Sequence, residues 1–69
     1  MVNTLEKIGE KIKVLREGKH ITQEDLSYLA KLDYSYINQI ENGKRNPTVK
    51  ALEQIAKALG VKVKDLFPF

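Results

Sequence analysis

Two helix-start signals stand eleven residues apart in this chain, at Thr22 and Asp33, and the helices they open leave room between them for a turn of only three or four residues. Thr22 can accept a hydrogen bond from the backbone of Asp25 while Asp25 reaches back to Thr22. This reciprocal cap starts a helix at Gln23. Asp33 is a second N-cap candidate, and its carboxylate also favours the positive end of a helix starting at Tyr34. Lys31 and Leu32 between them make the tight connection of a helix-turn-helix rather than of an antiparallel hairpin.

The second of these helices has two unlike faces. Ile37 and Ile40 share a side with Leu32, whereas Tyr34, Ser35, Asn38, Gln39 and Asn42 follow the opposite stripe at i, i+1, i+4, i+5 and i+8. An ordinary solvated face would carry Lys and Glu; this one carries amides and hydroxyls and no charge. Neutral amides suit base edges. Asn and Gln pair bidentately with adenine, Ser donates or accepts, and Tyr34 offers a ring edge to a thymine methyl or a hydroxyl to phosphate. Tyr34, Ser35, Asn38 and Gln39 are therefore the candidate base-reading residues, on a helix of the kind that enters the major groove of double-stranded DNA.

The segment N-G-K-R-N-P, residues 42 to 47, follows directly. Gly43 supplies a left-handed residue to end the helix, and Pro47 suits the first position of the next one. Between them lies the chain's one adjacent Lys-Arg pair, Lys44 and Arg45, beside the reading helix where phosphate oxygens would pass. Phosphate contacts position a protein without reading sequence. Lys44 and Arg45 are the candidates for that role, with Thr22 and Tyr36.

These residues resemble the Cro and phage-repressor type of helix-turn-helix domain, the XRE-like family, over roughly residues 6 to 67. The motifs are L-R at 15 and 16, T-Q-E-D-L at 22 to 26, Y-I-x-Q-I-E-N-G at 36 to 43, N-P at 46 and 47, and I-A-K-A-L-G-V at 55 to 61. The resemblance implies that Gln23 touches DNA from the start of its helix, that Ser35, Asn38 and Gln39 face bases, and that Asn42, Lys44, Arg45 and Asn46 run along the backbone. It thereby adds Gln23, Asn42 and Asn46 to the candidate phosphate-binding set. It also implies an ion pair between Arg16 and Glu41. Two positions depart from the family pattern. Lys31 stands where glycine is usual, so the turn has to take a side chain at positive φ or change conformation. Tyr34 replaces a polar or basic residue. The run L-D-x-S-Y-I at 32 to 37 is also similar to small controller proteins of restriction-modification systems.

Sixty-nine residues make one domain, spanning 1–69, with a small core that calls for regular helix packing or a partner. The chain has no cysteine and one histidine, which excludes a disulfide framework, Cys-ligated zinc and a His cluster. His20 is read as a loop residue. No nucleophile-base pair is apparent, the carboxylates interleave with Lys on helix surfaces, and neither an enzyme nor a cofactor is expected. The opening M-V-N-T-L-E-K has no basic region followed by a long apolar run, and no stretch reaches the ~20 apolar residues of a membrane span, so a cytoplasmic protein is expected. A net charge of +3 and a pI near 9.3 suit an anionic partner.

The first helix is expected from about Thr4 to Glu17, with an Asn3–Glu6 box, Leu5, Ile8, Ile12 and Leu15 inward, and Gly18 as its stop. Gly9 within it should cost about 1 kcal/mol against Ala. The fourth helix follows Pro47 with Val49, Leu52, Ile55, Ala56 and Leu59 inward and Gly60 at its end. Val61, Val63, Leu66 and Phe67 then make a short fifth helical turn. The expected fold is an all-α, compact five-helix bundle of the lambda-repressor-like type.

The functional expectation is a transcriptional regulator or repressor that binds DNA as a homodimer on two half-sites, with Val63, Phe67 and Phe69 as the dimer contact. The alternative is a protein-interaction module such as an antitoxin or repressor subunit.

Overall fold

The computed structural model describes residues 3–69; Met1 and Val2, which belong to the opening segment read above for a leader, lie outside the described residues. Four α-helices follow one another: α1 (Thr4–Gly18), α2 (Gln23–Ala30), α3 (Tyr34–Glu41) and α4 (Val49–Leu59). A single 3-10 turn, Val63–Leu66, closes the chain. Among the described residues the bundle therefore has four α-helices rather than five. Val63–Leu66 is too short for i→i+4 bonding, and Pro68, which has no N–H, blocks further winding.

The reciprocal caps form where local chemistry dictates them. Asn3 accepts from Glu6 N at 2.8 Å, and Thr22 Oγ1 accepts from Asp25 N at 3.0 Å while Asp25 accepts from Thr22 N at 2.9 Å. That backbone bond from Thr22 holds the Asp25 carboxyl below its ordinary range. Asp33 departs from expectation: it occupies the N-cap position of α3 with extended backbone but makes no side-chain capping bond. The start of α4 also differs. Thr48, not Pro47, bounds it, accepting from Ala51 N at 3.0 Å, and Pro47 lies outside the helix. Val49, the first residue of α4, is 72% exposed, against its expected inward place, while the rest of its stripe, Leu52, Ile55, Ala56 and Leu59, is buried.

All four helices end in the same way. In each, a residue in the left-handed region is followed by one whose N–H bonds back five residues: Ile21 to Arg16, Leu32 to Ser27, Lys44 to Gln39 and Val61 to Ala56. This is the Schellman termination. Gly43 and Gly60 supply the positive φ after α3 and α4, but His20 and Lys31 supply it after α1 and α2, each at φ 58°. Gly18 thus lies inside α1 and does not stop it. The side chains at His20 and Lys31 are tolerated because Ile21 and Leu32, next in the chain, pack against the core and anchor each turn.

The core gathers Ile8 and Ile12 of α1, Leu26 and Ala30 of α2, Ile37 and Ile40 of α3, Leu52, Ile55, Ala56 and Leu59 of α4, and Leu66. Burying these apolar faces is the main force holding elements too short to be helical alone. Gln54 of α4 donates to Ala30 O at 2.9 Å, satisfying a carbonyl that the end of α2 leaves open. Where α1 meets the end of α3 there is no space for a side chain. A Cβ on Gly9 would run into the Ile40 carbonyl oxygen and lie 2.7 Å from that of Glu41. Glycine here is a condition of packing, which reverses the expectation that it merely weakens α1.

Candidate nucleic-acid interface

Arg16, near the end of α1, and Glu41, the last residue of α3, anchor the site from below. Arg16 Nε and Nη2 donate to Glu41 Oε2 at 2.7 Å and Oε1 at 3.1 Å, and Nη1 donates to Ile21 O at 2.8 Å. The side chains are 10% and 1% exposed. The hydrogen bond to Glu41 holds the guanidinium above its ordinary pKa against the opposing effect of burial. With every guanidinium nitrogen engaged, the pair ties α1, the start of α2 and the end of α3 together.

Above this pair α2 and α3 bring their polar residues into contact. Gln23 donates from Nε2 to Glu41 Oε1 at 3.0 Å and accepts at Oε1 from Asn38 Nδ2 at 3.1 Å. Asn42 donates to Asn38 O at 2.9 Å and more weakly to Asn38 Oδ1 at 3.3 Å. Gln23 and Asn38 are half-buried, so these bonds are shielded on one side and open on the other. Tyr34, 48% exposed, and Ser35 occupy the first turn of α3 and make no side-chain hydrogen bond among the described residues.

Beyond α3, Arg45 folds back over the helix. Its Nη1 donates to Gln39 Oε1 at 3.0 Å, and its guanidinium carbon lies 5.1 Å from the centroid of the Tyr36 ring. An arginine over an aromatic face gains a cation-π attraction and loses rotamer freedom. Tyr36 is itself half-buried, and its hydroxyl accepts from Thr48 N at 3.3 Å, linking it to the start of α4. Lys44 and Asn46 extend into solvent beside it.

The four candidate base-reading residues thus lie on one face of α3, with Gln23, Asn42, Lys44, Arg45 and Asn46 around them. Thr22 is exposed, but its hydroxyl oxygen is committed to the α2 cap. Val63 and Phe67 pack against the core, whereas Phe69 is 72% exposed and tilts against Phe67 at 6.2 Å between ring centroids. Among the contacts that sequence reading missed are those of Gln23 with Asn38, Gln23 with Glu41, and Arg45 with Gln39. Of these, the two made by Gln23 join separate helices and carry no local signal, and that of Arg45 bridges a helix and the loop after it. Among the described residues no group of His, Asp and Glu is placed to hold a metal, and no helix is long and apolar enough to cross a membrane.

Comparison with known proteins gives a consistent picture. A family model described as helix-turn-helix matches residues 12–66. The control protein C.BamHI of Bacillus amyloliquefaciens is 42% identical over 62 residues, covering 88% of this chain and 76% of that protein. The immunity repressor protein of Bacillus phage phi105 is 39% identical over 56 residues, which are 81% of this chain and 39% of that protein. Among solved structures, the restriction-modification controller protein C.AhdI from Aeromonas hydrophila superposes with a TM-score of 0.90 at 36% identity, over 91% of this chain and 96% of that one.

Proposed function

The chain belongs to the XRE-type helix-turn-helix family, and from that premise we propose that it regulates transcription as a homodimer on an operator of two half-sites, with α3 in the major groove. It is a binding protein, not an enzyme. One observation carries the reading: the outward face of α3 holds neutral hydrogen-bonding groups, and the cation beside it, Arg45, is fixed to Gln39. Such a surface suits stacked base edges flanked by phosphate. Tyr34, Ser35, Asn38 and Gln39 read bases. Gln23, Asn42, Lys44, Arg45 and Asn46 follow the backbone; Tyr36 contributes through the arginine on its ring, and Thr22 through the exposed start of α2.

Similarity to C.BamHI and C.AhdI favours a narrower role as a controller of restriction-modification genes. The deciding experiment is selection of bound duplexes from a random pool. A dyad-symmetric consensus is expected, with half-sites about 34 to 36 Å apart, one helical turn. For the narrower role, that consensus should lie ahead of restriction or modification genes in the source genome. A pool that shows no enrichment would overturn the regulatory reading and leave a protein-interaction module, such as an antitoxin, as the better account.

A further inference from the structure

The buried pair and the outward amides form one run of hydrogen bonds, and its direction is set at the buried end. A carboxylate can only accept. Because Glu41 Oε1 faces Gln23 at 3.0 Å, Gln23 has to present its nitrogen there and turn its oxygen to Asn38. Asn38 has to meet that oxygen with Nδ2, at 3.1 Å, which leaves its own oxygen on the far side, towards Asn42. A free surface amide exchanges donor and acceptor by a half-turn. Asn38 cannot do so without breaking the run.

We infer that Glu41 is a positioning residue for sequence recognition: through Gln23 it fixes which way round Asn38 holds its amide, and so which base-edge pattern Asn38 reads. The inference rests on the DNA-reading function proposed above. It makes a side chain that is 1% exposed a determinant of base preference. Glu41→Gln exchanges one oxygen for an NH₂ group. The new amide turns a nitrogen to Arg16 either way round; keeping its oxygen opposite Nε, the shortest bond of the pair at 2.7 Å, sets that nitrogen against Nη2 and towards Gln23. Two donors then face each other unless Gln23 turns over. Asn38 has to follow, with its oxygen towards Gln23 and its nitrogen on the Asn42 side. The donor and acceptor presented to the groove change places while no reading residue has been altered.

The test uses the full chain. Selection with the wild type defines the preferred duplex, and Asn38→Ala identifies the base pair whose preference depends on Asn38. Glu41→Gln is then measured on the four duplexes that differ at that pair. The expected result is a changed ranking of the four, by roughly tenfold or more, with other positions and the salt slope kept. An unchanged ranking with uniformly weaker binding would overturn the inference, as would an Asn38→Ala variant that alters no base preference. If circular dichroism shows Glu41→Gln unfolded, Gln23→Met decides: it cuts the run above an intact ion pair. It should flatten the ranking at that one pair, at some loss of overall affinity, and a ranking it leaves in place overturns the inference. A wild type without any sequence preference would instead overturn the DNA-reading function itself, before either variant is made.

Discussion

Arg45 donates to Gln39 across six residues, so a loop cation and a helix amide are held as one unit. While that bond holds, Gln39 has its oxygen occupied and its NH₂ group directed outward, suited to an acceptor such as guanine O6 or N7. Gln39→Ala should cost about 1 to 3 kcal/mol on the preferred operator and relax preference at one base pair. Lys44→Ala should weaken all duplexes alike, whereas Arg45→Ala should also loosen preference at the base pair that Gln39 reads; each should flatten the plot of log K against log salt by about 1. The Gln39 and Arg45 losses should be less than additive, whereas those of Gln39 and Lys44 should add. Fluorescence anisotropy over a duplex panel and a salt series measures all of this; strict additivity for Gln39 and Arg45 would mean that the bond does not survive on DNA.

The ion pair between Arg16 and Glu41 should be expensive to break from one side. Glu41→Ala leaves the guanidinium in place with only the Ile21 carbonyl opposite it, and the expected loss is on the order of 3 kcal/mol. Urea denaturation checks it. A shift in midpoint no larger than that of an exposed pair, about 1 kcal/mol or less, would contradict the burial described.

Gly9→Ala separates helix propensity from packing. Propensity alone favours alanine by about 1 kcal/mol. The carbonyl oxygens of Ile40 and Glu41 occupy the space a Cβ would need, and they belong to backbone, which cannot move aside as a side chain can. The variant should therefore be less stable, by about 1 to 3 kcal/mol. A raised melting temperature would refute the close approach of α1 and α3.

Lys31→Gly should act in the opposite direction. At φ 58° the Lys31 Cβ crowds the backbone at a cost of about 1 to 2 kcal/mol, while glycine's greater freedom in the unfolded chain takes back part of the gain. A net stabilisation of about 0.5 to 1 kcal/mol is expected. Thermal and urea melts of the variant supply the check, and a destabilised variant would show that the lysine side chain contributes more than its backbone strain removes.

Phe69 is the exposed terminal aromatic, and a chain of this size offers only a small interface, so a weak dimer strengthened by DNA is expected. Phe69→Ala should reduce cooperativity on two half-sites and leave single half-site affinity nearly intact. Sedimentation of the free and bound protein measures the assembly; a monomer in both states would remove the dimer.

The features legible from spacing alone were those closed within four residues; the Arg16–Glu41 pair, 25 residues apart, is implied only by the family resemblance. The boxes at Asn3–Glu6 and Thr22–Asp25 and the inward stripe of Ile8, Ile12, Ile37, Ile40, Ile55 and Leu59 needed only local spacing. The helix end after α1 was not legible, because His20 is a poor left-handed residue in isolation and is held there by Ile21 packing into the core. After α2 the turn at Lys31 was legible, but the sequence leaves its conformation open between positive φ and a changed turn. Pro47 drew the start of α4 too early, and Val49, which shares the stripe of Leu52 and Ala56, looked buried because periodicity does not show that the first residue of the helix is left uncovered. At the site, residue types and the face they share could be read from periodicity. Which amide bonds which could not, since Gln23 meets Asn38 and Glu41 only after α2 and α3 have packed.

The unequal bonding along α3 bears on how such a surface can be retargeted. Tyr34 and Ser35 are untethered, so exchanging them alters what is read and little else. Asn38 and Gln39 come with dependants, Gln23 and Glu41 for one and Arg45 for the other. A combinatorial library that randomises the four reading positions alone would lose many members to stranded polar groups at the second pair. One that varies Gln23 with Asn38 and Arg45 with Gln39 would keep them, and altered specificities at that end of the helix should emerge as coupled substitutions rather than single ones.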